Sequence, residues 1–270
     1  GGEMKAYIDE YPDRGYGDGD VNAELFPGIT EGLRSLTLFF QPIFNSASYR
    51  VIGVEALARF LINDEYILTG ALIRHLEEPE FASIYSMALI SRLQGFIIQQ
   101  RHKLDSGFTF SLNLCLFQLC DRALIQRLVQ LKKVAGDNIH IQVEIVERHI
   151  HQEIGDDVIE VSHFLNQQGI KISLDDFGVE SSALDYLNLV EVDTIKLDKS
   201  LIRCREQTLY YKKILQGLLA ASRAMNVILI AEGVESAYQK QQLERLGIYL
   251  HQGFYYSRPV SMAAFADMLH

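Results

Sequence analysis

Ile172-Ser173-Leu174-Asp175-Asp176-Phe177-Gly178 reads as a short apolar strand that ends in two adjacent carboxylates and a Phe-Gly turn. Adjacent side chains on a strand point to opposite faces, so two neighbouring acids diverge comfortably only where a strand is ending. Paired carboxylates at a strand's last step repel each other. A divalent cation is the usual remedy, and a solvated Asp-Asp turn is the bland alternative. The rest of the chain decides between them, by whether its other strands end in the same way.

Working outward, apolar strands alternate with amphipathic helices. Strands are expected at Leu36–Ile43, Tyr49–Ala56, Phe108–Leu114, Ile139–Ile145, Ile170–Asp175, Thr194–Leu197, Val227–Ala231 and Tyr249–Gln252. Between and beyond them, helices are expected at Leu68–Glu78, Phe81–Lys103, Leu119–Val134, Asp156–Gln168, Ala183–Leu189, Gln207–Met225, Ala237–Leu246 and Met262–Leu269. The strands are nearly continuous in Val, Ile and Leu, which means burial on both faces in a mainly parallel sheet covered by helices. About eight such units in 270 residues favour a closed α/β barrel of the (β/α)8 kind over an open sheet. No Gly-x-Gly-x-x-Gly follows the first strand, which argues against a dinucleotide fold. Residues 1–20, rich in Gly, Asp, Tyr and Pro, read as a flexible arm or linker; a short helix over Val21–Ser35 and a single domain over 21–270 follow.

Each strand can now be asked where its polar residue lies. Glu55 ends the second strand, Asn113 the third, Glu144 the fourth and Asp175-Asp176 the fifth. Lys196 closes the sixth, Glu232 lies just past the seventh and Gln252 closes the eighth. In a parallel barrel those C-terminal ends converge on one mouth, the face where such folds place active sites. Glu55, Asn113, Glu144, Asp175 and Asp176 offer hard oxygen ligands with no His or Cys among them, a set suited to Mg²⁺ or Mn²⁺ rather than zinc. So many oxygen donors exceed the need of one hydrated ion. Two ions bridged by Asp175 fit better and are the usual apparatus for phosphodiester hydrolysis. Lys196 could orient an attacking hydroxide, neutralise phosphate charge, or simply form a salt bridge to one of these acids. Glu232 could be a second-metal ligand or a base.

Composition narrows the partners. With 25 basic and 35 acidic side chains, the formal net charge is -10, against a duplex nucleic-acid binder but compatible with a small anionic ligand. Cys115, Cys120 and Cys204 are an odd number without metal-ligand spacing. They suggest a reducing compartment, the cytoplasm, where the chain could be part of a larger membrane-anchored protein. No apolar run approaches the roughly 18 residues of a membrane span, and no secretory leader is visible.

The motifs, taken together, resemble those of the EAL domains, the family of bacterial cyclic-di-GMP phosphodiesterases. Val54-Glu55-Ala56-Leu57-Ala58-Arg59-Phe60 carries the namesake Glu-Ala-Leu, and Phe40-Gln41-Pro42-Ile43 is similar to the family's Tyr-Gln-Pro-Ile. Ser111-Leu112-Asn113-Leu114 looks like its Asn strand, Glu144-Ile145-Val146-Glu147 like Glu-Ile-Thr-Glu, and Leu174-Asp175-Asp176-Phe177-Gly178 matches Leu-Asp-Asp-Phe-Gly. Ile195-Lys196-Leu197-Asp198 resembles Lys-Ile-Asp, Ala231-Glu232-Gly233-Val234-Glu235 matches Ala-Glu-Gly-Val-Glu, and Gln252-Gly253-Phe254 through Pro259 resembles the closing Gln-Gly-Tyr…Pro.

The resemblance, running from about residue 36 to 270, implies a modified barrel whose first strand is antiparallel, and hydrolysis of cyclic di-GMP to linear pGpG with Mg²⁺ or Mn²⁺. It implies that Glu55, Asn113, Glu144 and Asp175 hold one ion and Asp175 and Asp176 the other, with Glu232 nearby. Lys196 would help activate water, and Gln252 would help position the site. Gln41, Leu57, Arg59 and Asp198 match positions of substrate contact; a guanidinium at Arg59 can clasp a phosphate bidentately. It further implies a homodimer, an upstream sensory or cyclase domain, and a loop after the Asp pair anchored by Glu147.

Two stretches depart from the family. Where it continues Thr-Gly-Tyr-Ser-Ser-Leu, this chain has Val179-Glu180-Ser181-Ser182-Ala183-Leu184. Glu180 replaces a Gly that permits positive φ and adds a negative charge near a site for a dianion. At an effective dielectric of about 20 and ~8 Å, that repulsion is on the order of 2 kcal/mol per charge before screening. The second departure is Phe60-Leu61-Ile62-Asn63-Asp64, which lacks the family's Pro-rich stretch. The altered loop makes a cyclic-di-GMP receptor with weak or no catalysis the alternative to the enzyme.

Overall fold

Strands apolar on both faces must be covered on both, and this chain does so by closing its sheet into a ring. The computed structural model describes residues 29–68, 70–146, 155–177, 183–206 and 208–269. Its ring strands are β1 (Leu36–Asn45), β2 (Arg50–Ile62), β4 (Phe108–Leu114), β5 (Ile139–Val146), β6 (Ile170–Phe177), β7 (Thr194–Leu197), β10 (Ile228–Ala231) and β11 (Leu250–His251). Order around the ring is β1-β11-β10-β7-β6-β5-β4-β2, and β2 pairs back onto β1 to close it. β1 runs antiparallel to both of its ring neighbours, while β2–β4–β5–β6–β7–β10–β11 are all parallel. The structure is therefore the modified (β/α)8 barrel expected, first strand reversed.

Short strands extend the ring: β3 (Glu65–Ile67) pairs with β2 and β12 (Val260–Ser261) with β1, while β8 (Cys204–Arg205) and β9 (Thr208–Leu209) form a separate hairpin. Helices lie outside. Even-numbered residues of β1 and β4 face them, so Phe40 packs edge-on against Phe96, Phe110 and Phe265 at 4.8, 5.9 and 5.5 Å between ring centroids. This ties helices Ala82–Gln100 and Met262–Met268 to the ring. Local chemistry sets several helix starts: Asp121 accepts from Ala123 and Leu124 N–H, and Ser236 from Gln239 N–H, filling orphan donors of the first turn.

Several expectations need correction. Glu55 does not end the second strand, because β2 runs on to Ile62. Its overhang has a partner in β3, joined through Asn63-Asp64 at φ 50° and 63°, the type I′ geometry that suits a two-residue hairpin. The helix expected from Gln207 begins at Lys212, after the β8–β9 hairpin. The helix expected from Leu119 begins at Arg122, because Leu116–Cys120 is a 3₁₀ turn and Asp121 caps the helix after it. Of the stretch Val21–Ser35, the described part is helical over Ile29–Ser35. Among the described residues no helix is long and apolar enough to cross a membrane, and all three cysteines are free thiols.

Candidate active site

Period-two alternation sends Glu55, Asn113, Glu144, Asp175 and Lys196 into the barrel lumen. Along the ladder they are staggered: Gln41 lies opposite Glu55 and Asn113 opposite Glu144, while Asp175 stands one pleat further on, opposite Val146. Lys196 sits at the centre. Its Nζ donates to Glu55 Oε2 at 2.8 Å and Glu144 Oε2 at 2.7 Å, meets Glu232 Oε1 at 2.7 Å, and lies 3.4 Å from Asp175 Oδ1. The salt-bridge reading of Lys196 is thus realised with four acids rather than one. Glu55 is also held by Asn113 Nδ2 on Oε1 (2.8 Å) and Gln252 Nε2 on Oε2 (2.7 Å); Gln252 Nε2 reaches Gln41 Oε1 at 3.1 Å as well. Gly253 permits that placement, since a Cβ there would stand 2.3 Å from the Val234 backbone N and O.

The Asp pair solves its divergence differently from expectation. Rather than parting at a strand end, both residues lie within β6, where the register slips between Leu174 and Phe177 and Asp176 takes φ 55°. A bulge with a left-handed residue re-aims a side chain, and Asp tolerates that conformation better than most. As a result Asp175, Asp176 and Glu232 each present a carboxylate oxygen within 4.8 Å of the others, as do Glu55, Glu144 and Asp175. Asp175 belongs to both groups.

Charge is concentrated here. Burial would raise Glu55, but the Lys196 ammonium and the hydrogen bonds from Lys196, Asn113 and Gln252 bring it down to about 2. Burial pushes Glu144 up, Lys196 opposes it, and the charges of Glu55 and Asp175 push further, to about 8. Burial and Asp175 likewise hold Glu232 well above the usual carboxylate range. Burial disfavours the Lys196 charge, yet Asp175, Glu144, Glu232 and Glu55 together keep it well above its ordinary value. Five carboxylates face one ammonium in this cluster, and Asn113 Oδ1, Glu144 Oε1 and both Asp175 oxygens, though buried, accept no hydrogen bond from the described residues. Buried acceptors and excess negative charge fit hard divalent cations. Residues able to hold one are Glu55, Asn113, Glu144 and Asp175; residues able to hold a second are Asp175, Asp176 and Glu232.

One pleat deeper lies a polar layer that the strand-end reading missed. Thr194 Oγ1 donates to Gln142 Oε1 at 3.2 Å, and Gln142 Nε2 to Ser111 Oγ at 3.0 Å, with Ser173 buried alongside. Each stands two residues before a residue of the acidic layer, so the period-two signal was available in the sequence. The other expected residues line the rising wall. Leu57 is buried beyond Glu55, and Arg59 is fully buried, donating to Ala58 O at 2.9 Å with its guanidinium 5.6 Å from the Phe39 ring. Asp198, also buried, accepts from Ser200 N–H at 2.8 Å just past β7. Glu147, Glu180 and Ser181 lie outside the described residues.

The sequence profile described as EAL domain matches residues 29–259. The chain belongs to the EAL domain family. Among curated relatives of this EAL domain is the probable cyclic di-GMP phosphodiesterase PdeD of Escherichia coli K12, 27% identical over 240 residues, covering 86% of this chain and 43% of PdeD. Another is the bifunctional diguanylate cyclase/cyclic di-GMP phosphodiesterase MucR of Pseudomonas aeruginosa, 28% identical over 236 residues, covering 84% of this chain and 33% of MucR. The EAL domain spans less than half the length of these relatives. Among solved structures, the PaMucR phosphodiesterase in complex with c-di-GMP matches with TM-score 0.73 at 26% identity, covering 86% of this chain and 100% of that one. The EAL enzyme Bd1971 shares the fold with TM-score 0.78 at 24% identity, over 88% of this chain and 65% of that one.

Proposed function

We propose that this EAL domain hydrolyses cyclic di-GMP to linear pGpG using two divalent cations, Mg²⁺ or Mn²⁺. The observation that carries the reading is Asp175, shared by two oxygen clusters that surround one buried lysine. Divalent cations, which Glu55, Asn113, Glu144, Asp175, Asp176 and Glu232 would hold, would acidify a water and offset the phosphodiester's charge. The chain's own residues do the rest. Asn113 and Gln252 lock both oxygens of Glu55, so that carboxylate enters the reaction already oriented. Lys196 holds Glu55 and Glu144 together and would place a positive charge where the attacking oxygen gains negative charge. Glu232, at the rim of the second oxygen cluster and 2.7 Å from Lys196 Nζ, would hold a cation or take a proton from the attacking water. Arg59, Gln41, Leu57, Asp198 and Gln252 would contact the nucleotide, Arg59 through a phosphate.

The names of the relatives support this substrate, and their greater length supports further domains, sensory or cyclase, elsewhere in the full-length protein. A homodimer on the cytoplasmic side completes the proposal. To test it, the purified chain is incubated with cyclic di-GMP and Mg²⁺ or Mn²⁺ and pGpG is followed by chromatography. The receptor alternative rests on Glu180 and Ser181, which replace the family's Gly and Tyr. Tight binding without turnover under either metal would replace the enzyme with the receptor. Glu180→Gly with Ser181→Tyr would then be expected to restore turnover.

A further inference from the structure

Where β2 overhangs the ring, Leu61 of β2, Tyr66 of β3 and Phe39 of β1 stand outside both hydrophobic cores. Glu55, Leu57, Arg59 and Leu61 alternate along the lumen face of β2, and across the ladder Gln41 pairs with Glu55 and Phe39 with Leu57. The Asn63-Asp64 turn sets the β3 register so that Tyr66 stands opposite Leu61, on that same face. Two residues of strand advance by about 6.6–6.8 Å, so Phe39 and Leu57 stand one pleat above the Glu55 layer and Arg59 two. Phe39 and Tyr66 bring their ring centroids to 5.0 Å, tilted by 59°, and the Arg59 guanidinium lies 5.6 Å from the centre of the Phe39 ring.

Core packing does not account for these aromatics. The small second core takes Phe60, Ile62 and Ile67 from the opposite face of the hairpin and only Leu57 from this one; Phe39, Leu61 and Tyr66 belong to neither core. Leu61 is 42% exposed and Tyr66 43%. Two rings meeting at a tilt, with Tyr66 half exposed, a buried guanidinium beside Phe39 and the acidic cluster further down the same face, have the chemistry that receives a nucleobase. The hairpin turn lies in the stretch 60–64, which lacks the family's Pro-rich pattern.

We propose that Phe39 and Tyr66 form a stacking platform for a purine base of the nucleotide bound at the metal mouth. This deepens the phosphodiesterase reading and rests on it. Since the chain contains no tryptophan, Tyr66→Trp supplies a single reporter at the platform. The experiment titrates that variant with cyclic di-GMP without added divalent cation, following fluorescence. Calorimetry records binding by the unsubstituted protein and by Phe39→Leu and Tyr66→Ala, and initial rates with Mn²⁺ give kcat and KM for each. The expected result is a quench on binding and affinity weaker by about fivefold or more in Phe39→Leu and Tyr66→Ala. KM rises in proportion, kcat stays within about twofold, the melting temperature is kept, and Tyr66→Phe behaves as the unsubstituted protein. Unchanged KM and affinity in both variants, with a silent tryptophan while calorimetry shows binding, would overturn the platform and leave the phosphodiesterase reading standing. If the unsubstituted protein neither binds nor hydrolyses cyclic di-GMP, the phosphodiesterase reading falls and the platform with it.

Discussion

Asp176, at φ 55° in the bulge of β6, brings its carboxylate within 4.8 Å of that of Asp175, its neighbour in sequence, and of Glu232. A regular strand would have sent the two Asp side chains to opposite faces. Backbone conformation and carboxylate charge at this residue can be separated by substitution. Asn adopts the left-handed region readily, whereas Ala pays about 1 kcal/mol there. Asp176→Asn is therefore expected to unfold in urea near the unsubstituted midpoint while binding a second Mn²⁺ more weakly. Asp176→Ala should lose about 1 kcal/mol of stability as well. Equal stability of the two variants would show that the conformation costs nothing.

Asp175 belongs to both oxygen clusters, so its loss should weaken both cation sites at once. Asp175→Asn is expected to lower turnover on the order of a hundredfold or more and to reduce cation stoichiometry in calorimetry, with fold preserved by circular dichroism. Retention of two tight sites would disprove a shared ligand.

Lys196 is fully buried among four carboxylates. Removing one partner of such a network strands the remaining charges, at about 3–5 kcal/mol. Lys196→Met should show that loss in urea unfolding with cations chelated. Mn²⁺ should recover more stability in the variant than in the unsubstituted protein, because cations supply the missing positive charge. An unshifted midpoint in chelator would contradict the network.

A pH effect separate from the acids comes from His251. It is buried, with Nδ1 2.8 Å from Tyr256 Oη and Nε2 2.9 Å from Ile248 O. Burial lowers its pKa below the ordinary 6.5, opposed by the Ile248 carbonyl. Above pH 6.5 both folded and unfolded states are neutral at this ring; as pH falls below that, the unfolded chain takes the proton first and folding stability declines. Glu144, held up near 8, gains stability as pH falls over the same interval, so the measurement is a difference. Between pH 7 and 5, His251→Gln should lose less stability than the unsubstituted protein in urea titrations. Parallel curves would rule out this contribution.

Much of the barrel was legible because its strands are apolar on both faces, a pattern that leaves few architectures. The acidic residues of the mouth were legible for the opposite reason: a charge in such a strand is costly and stands out. The residues that escaped were polar but uncharged, namely Ser111, Gln142, Ser173 and Thr194, whose burial in hydrogen-bonded register resembles ordinary strand composition. The β2–β3 hairpin escaped because Glu55 read locally as the end of a strand, although β2 runs on to Ile62. In the fold, Tyr66 finds its partner Phe39 on a third strand.

By itself the sequence determined which residue types stand at which strand positions, and hence the face each would take, because side-chain alternation is a local property of the backbone. Only the tertiary structure decided that Lys196 would stand among four acids, that β6 would bulge at Asp175-Asp176, and that Gln252 would hold Glu55 across 197 positions of chain. These depend on ring closure and ladder register, set by the packing of all the strands together rather than by any stretch alone.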